Sequence, residues 1–576
     1  MITRLTIRNF KRFGEAVIEL GDNVVLIGPN NSGKTTALQA LALWDIGYKT
    51  WIDKRGAGSS QLKRPGIAIN RRDLIAIPMP EANLLWLDRH TRSVSRRDGK
   101  QNTQNIRIDI LVEGVTDGRT WECGLEFDYA NEEALHCRPL RIEEGKNPAR
   151  MPVPDLKGKM DVAFLPPMSG LADREFLKQP GEIGVLLGQG QTAEVLRNLC
   201  YRVFSSEALA QNWSSIFDAI KEMFGVELID PVLRETAEIT LGYKDAKGVE
   251  FDLSSSGRGL QQTLLLLAHL YANPRSVLLL DEPDAHLEIL RQRQIYDVIT
   301  ETARKQQSQI IAASHSEVVL NEAATKDKVV AFVGKPHSLT DKETQVLKAL
   351  KDIGFDQYYQ AEQKGWVLYV EDATDLAILQ AFAELLDHPA QEALKAPFVH
   401  YVATNLPSRA RNHFHGIKEA KTDFIGVALF DRIEAELTDA HGLRETMWGR
   451  CEIENYFCCE QVLLDYANSS EANDLFAMAE NEKRVQAMRA AIDEVTAGLE
   501  TFGEPGPWSD DVKASDKVLE PIFRVFSKKL GLPLQERKRD FHKLVALMKK
   551  EDVPEEVAEK LALVQEVASA AKPAVA

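Results

Sequence analysis

No stretch of 18 or more apolar residues occurs in this 576-residue chain, so no segment has the length and apolarity of a membrane-spanning helix. The opening MITRLTIRNF carries no apolar signal core, and a soluble, cytoplasmic protein is the expectation. Cysteine is scarce. The six are Cys123, Cys137, Cys200, Cys451, Cys458 and Cys459. None forms a C-x-x-C pair, and adjacent Cys458 and Cys459 suit zinc poorly, which leaves free thiols in a reducing compartment. Positive charge is not in excess either. The formal net charge is −16, so the chain is no basic nucleic-acid coat, and any nucleic-acid site is a local patch. What remains, 44% hydrophobic and 27% charged, is ordinary globular material. It is too long for one core, and two to four domains are expected.

The densest chemistry lies in Val24–Thr36, VVLIGPNNSGKTT: a short apolar strand, a glycine-bounded loop and the start of a helix. The loop fits G-x-x-x-x-G-K-[ST], with Gly28, Gly33, Lys34 and Thr35 in the fixed places. Glycine lets the backbone wrap around phosphates where a side chain would collide. The unpaired N–H groups of the helix start carry about half a positive charge and attract phosphate oxygens. Lys34 reaches the β- and γ-phosphates, and the Thr35 hydroxyl ligates Mg²⁺. Gly28, Asn30, Asn31, Ser32, Gly33, Lys34, Thr35 and Thr36 are the expected contacts of a nucleoside triphosphate, ATP foremost.

Three later stretches extend this site. Phe251–Ala268, FDLSSSGRGLQQTLLLLA, sets Ser254, Ser255, Ser256 and Gly257 before a helix beginning near Gly259. Small residues there present N–H and hydroxyl groups to a phosphate. Ser276–Leu287, SVLLLDEPDAHL, is a buried strand ending in two acids. Asp281 would hold Mg²⁺ through water, and Glu282 would polarise the attacking water. Gln309–Ser316, QIIAASHS, is another apolar strand, delivering His315. Open parallel sheets bind ligands at the carboxyl ends of their strands, so strands ending at Ile27, Leu280 and Ala313 bring these groups onto one nucleotide.

These stretches resemble the SMC/RecF-like ABC ATPases. LTIRNFKRFGEAVIEL followed by NVVLIGPNNSGKTTALQAL is close to that group's opening, and Asn31 and Ser32 match its N-x-S-G-K variant. Ser255, Ser256 and Gly257 resemble a loose ABC signature, PDAHL resembles the D-loop, and His315 resembles the γ-phosphate-sensing switch histidine. The resemblance implies two heads sandwiching two ATPs, each signature segment completing the other protomer's pocket. The long heptad coiled coil of true SMC proteins is absent. Lys49–Arg97, polar and arginine-rich, reads as loop-heavy and as either a solvated face or a DNA-contacting rim. Ile106–Val112 and Trp121–Phe127 read as a hairpin turning at Asp117–Gly118. A helical stretch near 171–225 occupies the place where the resembled group commonly carries a dimer-contacting insertion.

The pattern then restarts. Trp366–Phe382, WVLYVEDATDLAILQAF, is a buried strand ending in Glu371 and a helix opened by Asp375. Pro397–Val402 is a second strand, and Phe424–Asp431 a third, again ending in an acid. This resembles the Toprim domain of topoisomerases, primases and OLD-family nucleases. In that family Glu371 and Asp431 would bind Mg²⁺ together, with Asp375 a further acid seen in OLD proteins. The chain departs from the pattern in two places. Asp431-Arg432-Ile433 stands where D-x-D is usual, and Asp372 stands where glycine follows the glutamate. Glu434, Glu436, Glu452 or Glu454 are the candidate replacements, with Glu434 the nearest in sequence. Lys517–Lys550 gathers lysine and arginine among Phe and Leu, an amphipathic helix pair that is either a DNA-backbone contact or a solvated face.

The expected architecture is α/β. An ABC-type ATPase domain over 1–345 carries the insertion. A linker at 346–364 leads to a Toprim-like domain over 365–470 and a helical region over 471–576 with a disordered tail. As a whole this resembles the OLD-family ATPases. The resemblance implies ATP-gated DNA cleavage in bacterial anti-phage defence, with Glu282, His315, Glu371 and Asp431 catalytic. The cofactors are ATP and Mg²⁺, with Mn²⁺ an option at the Toprim-like site. The partners are a second copy through the heads and DNA, and no membrane. Two alternatives stand beside it: a regulatory ATPase controlling a separate nuclease, as in Septu-type systems, and a RecF-like DNA-repair ATPase.

Overall fold

The computed structural model describes residues 1–58, 66–74, 77–97, 100–143, 148–167, 170–188, 191–207, 209–285, 287–339, 354–468, 475–533 and 536–574. The chain divides into two compact units, Met1–Leu347 and Lys348–Val575.

The first unit is built on two six-stranded sheets. One is antiparallel, in the order Phe13–Glu19, Ile2–Phe10, Ile108–Thr116, Arg119–Asn131, Ala134–Pro139, Ile67–Asn70. The other runs Asp161–Leu165, Ser276–Asp281, Gln309–Ser314, Asn23–Ile27, Lys328–Ala331, His337–Ser338, parallel except for the last strand. Side chains alternate across the parallel sheet with the period of two that strands impose. Val24, Leu26, Val277, Leu279, Ile311 and Ala313 share a core with Leu38, Leu41 and Trp44 of the helix Lys34–Arg55 and with Ile110 and Leu125 of the antiparallel sheet. Leu278, Leu280, Ile310 and Ala312 face the opposite way, onto the helices Leu196–Ser205 and Arg258–Ala272. These strands are buried on both faces, which is why they read as unbroken apolar runs.

The expected hairpin forms, with Asp117 (φ 52°) and Gly118 (φ 74°) at its two-residue turn. The stretch read as loop-heavy holds more regular structure than its polarity suggests. It carries the last turns of the Lys34–Arg55 helix, the strand Ile67–Asn70 and half of the hairpin Arg92–Arg97/Lys100–Asn105. Within it Arg71 pairs with Glu133 at 2.9 Å.

The second unit holds a five-stranded sheet in the order Val399–Tyr401, Trp366–Val370, Ile425–Phe430, Leu443–Met447, Asp439–Ala440, parallel but for the last. Leu368, Val370, Val427 and Leu429 share one core with Phe523, Phe526, Val557, Leu561 and Val564, so this core does not stop near residue 470. The other face, Val367, Tyr369, Ala428 and Phe430, packs on Phe414 and Ile417 of the helix Pro407–Ala420. Of the expected linker, 346–353 lies outside the described residues, and the rest is mostly the helix Phe355–Lys364. The tail is not disordered as far as residue 574. The helix Glu555–Ala570 continues into a strand-like segment in which the Ala574 N–H donates to Glu362 O at 2.8 Å and Lys572 backs onto Gly365. That anchoring is tertiary, and composition does not show it. The basic stretch 517–550 is broken into short helices, with Ile522, Phe523, Phe526, Leu544 and Val545 turned inward.

Between sheet and linker helix, His413 and His400 stack with ring centroids 3.7 Å apart. Both rings approach Gln357 Oε1, at 2.6 and 3.1 Å, and Tyr369 OH lies 2.8 Å from His413 Nδ1. The network fixes one neutral tautomer, with His413 Nε2–H donating and Nδ1 accepting. Burial, and then the neighbouring His400, push His413 down to about 3. The unfolded chain therefore holds an extra proton between that value and about 6.5, and stability present at neutral pH is lost as pH falls through this window. Denaturant midpoints at pH 7 and pH 5 check this. The midpoint is expected to drop on acidification, and to drop less in His413→Gln.

Candidate functional site

Register brings the phosphate-loop chemistry together. Ile27 pairs with Ser314 and Asp281 with Ala313, so Gly28, Glu282 and His315 emerge side by side at one sheet edge. Gly28 has φ 155°, and a Cβ there would lie 2.8 Å from Phe332 O; Gly33 has φ 108°, and its Cβ would lie 2.7 Å from the Phe13 ring. Both fixed glycines are therefore required by space and backbone. Lys34 Nζ donates to Gly28 O and Pro29 O, each at 2.7 Å, folding back over its own loop. Burial pushes its pKa down, and Glu282 and Asp281 oppose that. Ser32 Oγ is buried without a partner, an orphan that a phosphate oxygen inside the loop would satisfy. Asn31 is exposed at φ 61°, Asn30 is exposed, and Thr36 is half-buried on the first helical turn.

The Thr35 hydroxyl donates to Asp281 Oδ1 at 3.1 Å, so the two expected Mg²⁺-holding groups already meet. Burial pushes the Asp281 carboxyl up, with Thr35 opposing and Glu282 adding to the shift. Glu282 stands at φ 49°, held there by its N–H on Ala313 O at 2.9 Å. A non-glycine residue in this region marks a position its surroundings over-determine. Its Oε1 lies 3.4 Å from His315 Nδ1. His286 of PDAHL lies outside the described residues.

The structure places the Ser254–Gly257 turn apart from this group: among the described residues none of its hydrogen bonds reaches the Lys34 loop. Ser255 and Gly257 are exposed, with open space over Gly257. The turn is braced from within. Ser256 Oγ donates to Leu253 O at 2.7 Å, and Gln261 Nε2 donates to Ser256 O at 3.1 Å.

In the second unit, adjacent parallel strands end in Glu371 and Asp431. The loop after Val399–Tyr401 supplies Asn405, whose Nδ2 donates to Glu371 Oε2 at 2.9 Å and to Asp431 Oδ2 at 3.1 Å. Its Oδ1 accepts from Asp431 N–H at 3.2 Å. One amide thus stands between two acids. Asp375 Oδ2 accepts from the N–H groups of Glu371 (2.8 Å) and Asp372 (3.2 Å). Asp372, where the resembled family has glycine, caps the helix Ala373–Leu385. Ile433 packs on the core with Leu437 and Met447. Glu434 and Glu436 are exposed in the loop beyond it. The expected ligand Glu434 is exposed, whereas the acid that acts on Asp431 from beyond the strand is Glu452, with Glu454 next to it, each 2% exposed.

The electrostatics describe crowded negative charge. Burial and then Asp375 push Asp431 up to about 8, with Glu452 and Glu371 adding and Asn405 opposing. Burial also pushes Asp375 up to about 6, and Glu454 rises through burial, Glu452 and Asp375. Glu454 Oε1 is buried without a partner. Two lysines answer this charge. Against burial, Asp516, Glu452 and Glu371 raise Lys513 to about 12, and Glu454, Asp372 and Glu452 raise Lys538. Oxygen donors and crowded carboxylates suit a hard divalent cation. Among the described residues, however, no three His, Cys, Asp or Glu side chains are already gathered as a metal cage. Sequence reasoning missed Asn405 and Lys513, which come from separate loops and carry no motif; Lys538 lies in the basic stretch 517–550 singled out as a possible DNA-backbone contact.

Residues 1–45 match the family model described as "AAA ATPase domain", and residues 203–321 the one described as "AAA domain, putative AbiEii toxin, Type IV TA system". A curated relative, the OLD nuclease of Thermus scotoductus, is 24% identical over 339 residues, which is 55% of this chain; the chain spans 59% of that protein's length. Solved structures are more loosely similar. The SMC head domain from Thermotoga maritima matches 59% of this chain and 98% of its own, at 15% identity and TM-score 0.33. An Smc head domain with a coiled coil and joint from Pyrococcus yayanosii matches 61% and 99%, at 12% identity and TM-score 0.34. Among the described residues no helix is long and apolar enough to cross a membrane. Two segments of the first unit thus match AAA-type ATPase models, and the chain is similar to an OLD nuclease.

Proposed function

We propose that the chain hydrolyses ATP in its first unit and that the nucleotide state gates metal-dependent DNA cleavage at the acid cluster of its second. The observation that carries the first part is the meeting of Thr35 with Asp281 and of Glu282 with His315 at one sheet edge. Lys34 swings from Gly28 O and Pro29 O onto the β- and γ-phosphate oxygens, and the loop N–H groups and Ser32 Oγ take the rest. Thr35 and Asp281 hold Mg²⁺. Glu282 orients the attacking water and receives its proton, and His315 ties that carboxylate to the γ-phosphate. The exposed Ser255 and Gly257 have no nucleotide of their own to meet, which supports a pocket completed by a second copy.

In the second unit Glu371 and Asp431 hold Mg²⁺ or Mn²⁺, with Glu452 as the added acid in place of Glu434. When bound, the ion polarises the phosphodiester and supplies an activated water. Asn405 holds the two carboxylates in register, and Lys513 and Lys538 offset the charge of the DNA backbone. The resemblance to OLD proteins supports a role in phage defence. A second reading, an ATPase that regulates a separate nuclease, is favoured by Ile433, whose apolar side chain fills core space where a second aspartate would bind metal.

Supercoiled plasmid incubated with purified protein, Mg²⁺ or Mn²⁺, and ATP or ADP separates the two. The wild type is expected to cut, and Glu371→Ala to lose cutting while keeping ATP turnover. A wild type that cuts under no combination of metal and nucleotide moves the nuclease to a separate protein.

A further inference from the structure

One buried cation in the first unit has no part in the nucleotide chemistry above. Arg197, on the helix Leu196–Ser205, is 1% exposed. Its guanidinium forks. One arm donates to Ala172 O at 2.7 Å, and the other to Asp252 Oδ1 at 3.0 Å. Asp252 lies two residues before Ser254, where the signature turn begins. The same Oδ1 accepts the Ser254 N–H at 2.8 Å, so a single oxygen carries both the arginine and the first N–H of the turn. On the other side, the segment that Arg197 grips is tied to the same helix. The Glu175 carboxylate, itself 2% exposed, accepts from the N–H groups of Arg197 (2.9 Å) and Asn198 (2.6 Å) and from Asn198 Nδ2 (2.8 Å). That segment pairs with a stretch far along the chain: Ile239 N–H donates to Glu175 O, and Leu177 N–H donates to Ala237 O, both at 2.8 Å.

We propose that Arg197 is the positioning residue of the signature turn. It sets, through Asp252, where Ser254–Gly257 is presented to the nucleotide of a second copy, and it couples that placement to the 172–177 segment. This rests on the reading of Ser255–Gly257 as half of a composite ATP pocket. The argument is one of stiffness. The turn is exposed, and among the described residues no hydrogen bond ties it to its own phosphate loop; apart from Asp252, the bonds that hold it are local ones made by Ser256, Leu260 and Gln261. An exposed turn of this kind wanders unless something buried fixes its base. Arg197 is fixed by Glu175 and Ala172, and a planar fork holds two acceptors at a set angle where a lysine reaches only one. Movement of the 172–177 segment therefore moves Arg197, then Asp252, then the serines. Phe176 and Leu177 in that segment are half exposed, so it lies where a contact could act on it.

The test compares Arg197→Lys, Arg197→Met and Asp252→Ala in the full chain, reading ATP affinity, kcat and thermal midpoint. ATP binding to one head uses Lys34 and its loop and is expected to stay within about twofold, while kcat falls by on the order of tenfold in Arg197→Met and less in Arg197→Lys. The Arg197→Met/Asp252→Ala double variant is expected to be no slower than the worse single one, because both act through one oxygen. A loss of ATP affinity matching the loss of kcat would mean only general damage to the fold and would overturn the proposal, as would an unchanged kcat in Arg197→Met. Ser255→Arg separates this from the reading beneath it. If Ser255→Arg turns over normally, the composite pocket is wrong. If Ser255→Arg is dead while the Arg197 variants are normal, the pocket stands and Arg197 does not position it.

Discussion

Glu282→Gln is expected to bind ATP as tightly as the wild type and to turn it over about a hundred- to a thousandfold more slowly, the range that loss of a general base gives. The substitution removes the carboxylate's basicity and little else. Glutamine keeps the length and an oxygen that can face His315, and the φ of 49° at this position is set by the backbone bond to Ala313 rather than by the side chain. With hydrolysis blocked, ATP stays in the pocket, so a nucleotide-dependent dimer should accumulate on gel filtration in ATP and vanish in ADP. Lys34→Ala is the opposite case. It removes the one cation inside the loop, and ATP binding itself is expected to fail, with no dimer in either nucleotide. Brisk turnover by Glu282→Gln would refute its role as the base. Tight ATP binding by Lys34→Ala would refute the loop as the phosphate site.

The second large effect joins catalysis and stability with opposite signs. Asp431→Asn is expected to abolish metal-dependent cutting and at the same time to make the protein more stable at pH 8. The folded carboxyl sits at about 8, against about 4 in the unfolded chain. Between those values the folded state carries the extra proton. Its stability is therefore greatest at the acid end of that window and falls as pH climbs toward 8, where an ionised Asp431 must sit buried beside Asp375, Glu452 and Glu371. Asparagine removes that charge and still offers an oxygen to the Asn405 amide. The thermal midpoint at pH 8 should rise by about 2–4 °C, as about 1 kcal/mol does in a unit of this size, and its slope with pH should flatten. Mg²⁺ relieves the same repulsion, so it should raise the wild-type midpoint at pH 8 and leave the variant's unmoved. A variant less stable than wild type at pH 8 would show that the acids are compensated in some other way. These groups act against His413, whose contribution is lost toward low pH, and the difference between variant and wild type isolates Asp431.

The phosphate loop was legible because its chemistry is contiguous. Gly28 through Thr35 needs one strand, one loop and one helix start, and each is written locally. Asp281, Glu282 and His315 were legible at a distance because each follows an unbroken apolar strand, and parallel register lines such strand ends up. Glu371 and Asp431 followed by the same logic. What could not be read was anything that enters the site from a loop. Asn405 sits after a three-residue strand with no spacing that marks it, and Lys513 lies among many other lysines; of Lys538 only the basic stretch around it was legible. Nothing in its spacing marks Arg197, although its guanidinium is almost wholly enclosed. Glu434 was favoured because it is near in sequence, but Ile433 turns inward and carries the loop outward beyond it. The tail read as disordered because small residues and a proline give no pattern, and its bond to Glu362 comes from far along the chain.

The single core that joins the second sheet to the last helices has a consequence in time. The strand Ile425–Phe430 leaves the ribosome more than a hundred residues before the helix Glu555–Ala570, whose Val557, Leu561 and Val564 share one core with its Val427 and Leu429. At about 5–20 residues per second, that face stands bare for on the order of ten seconds in every round of synthesis. The acids at its edge meet the lysines that answer their charge, Lys513 and Lys538, only late in that interval. A newly made chain thus completes its phosphate loop well before its acid cluster, and the cluster is assembled last.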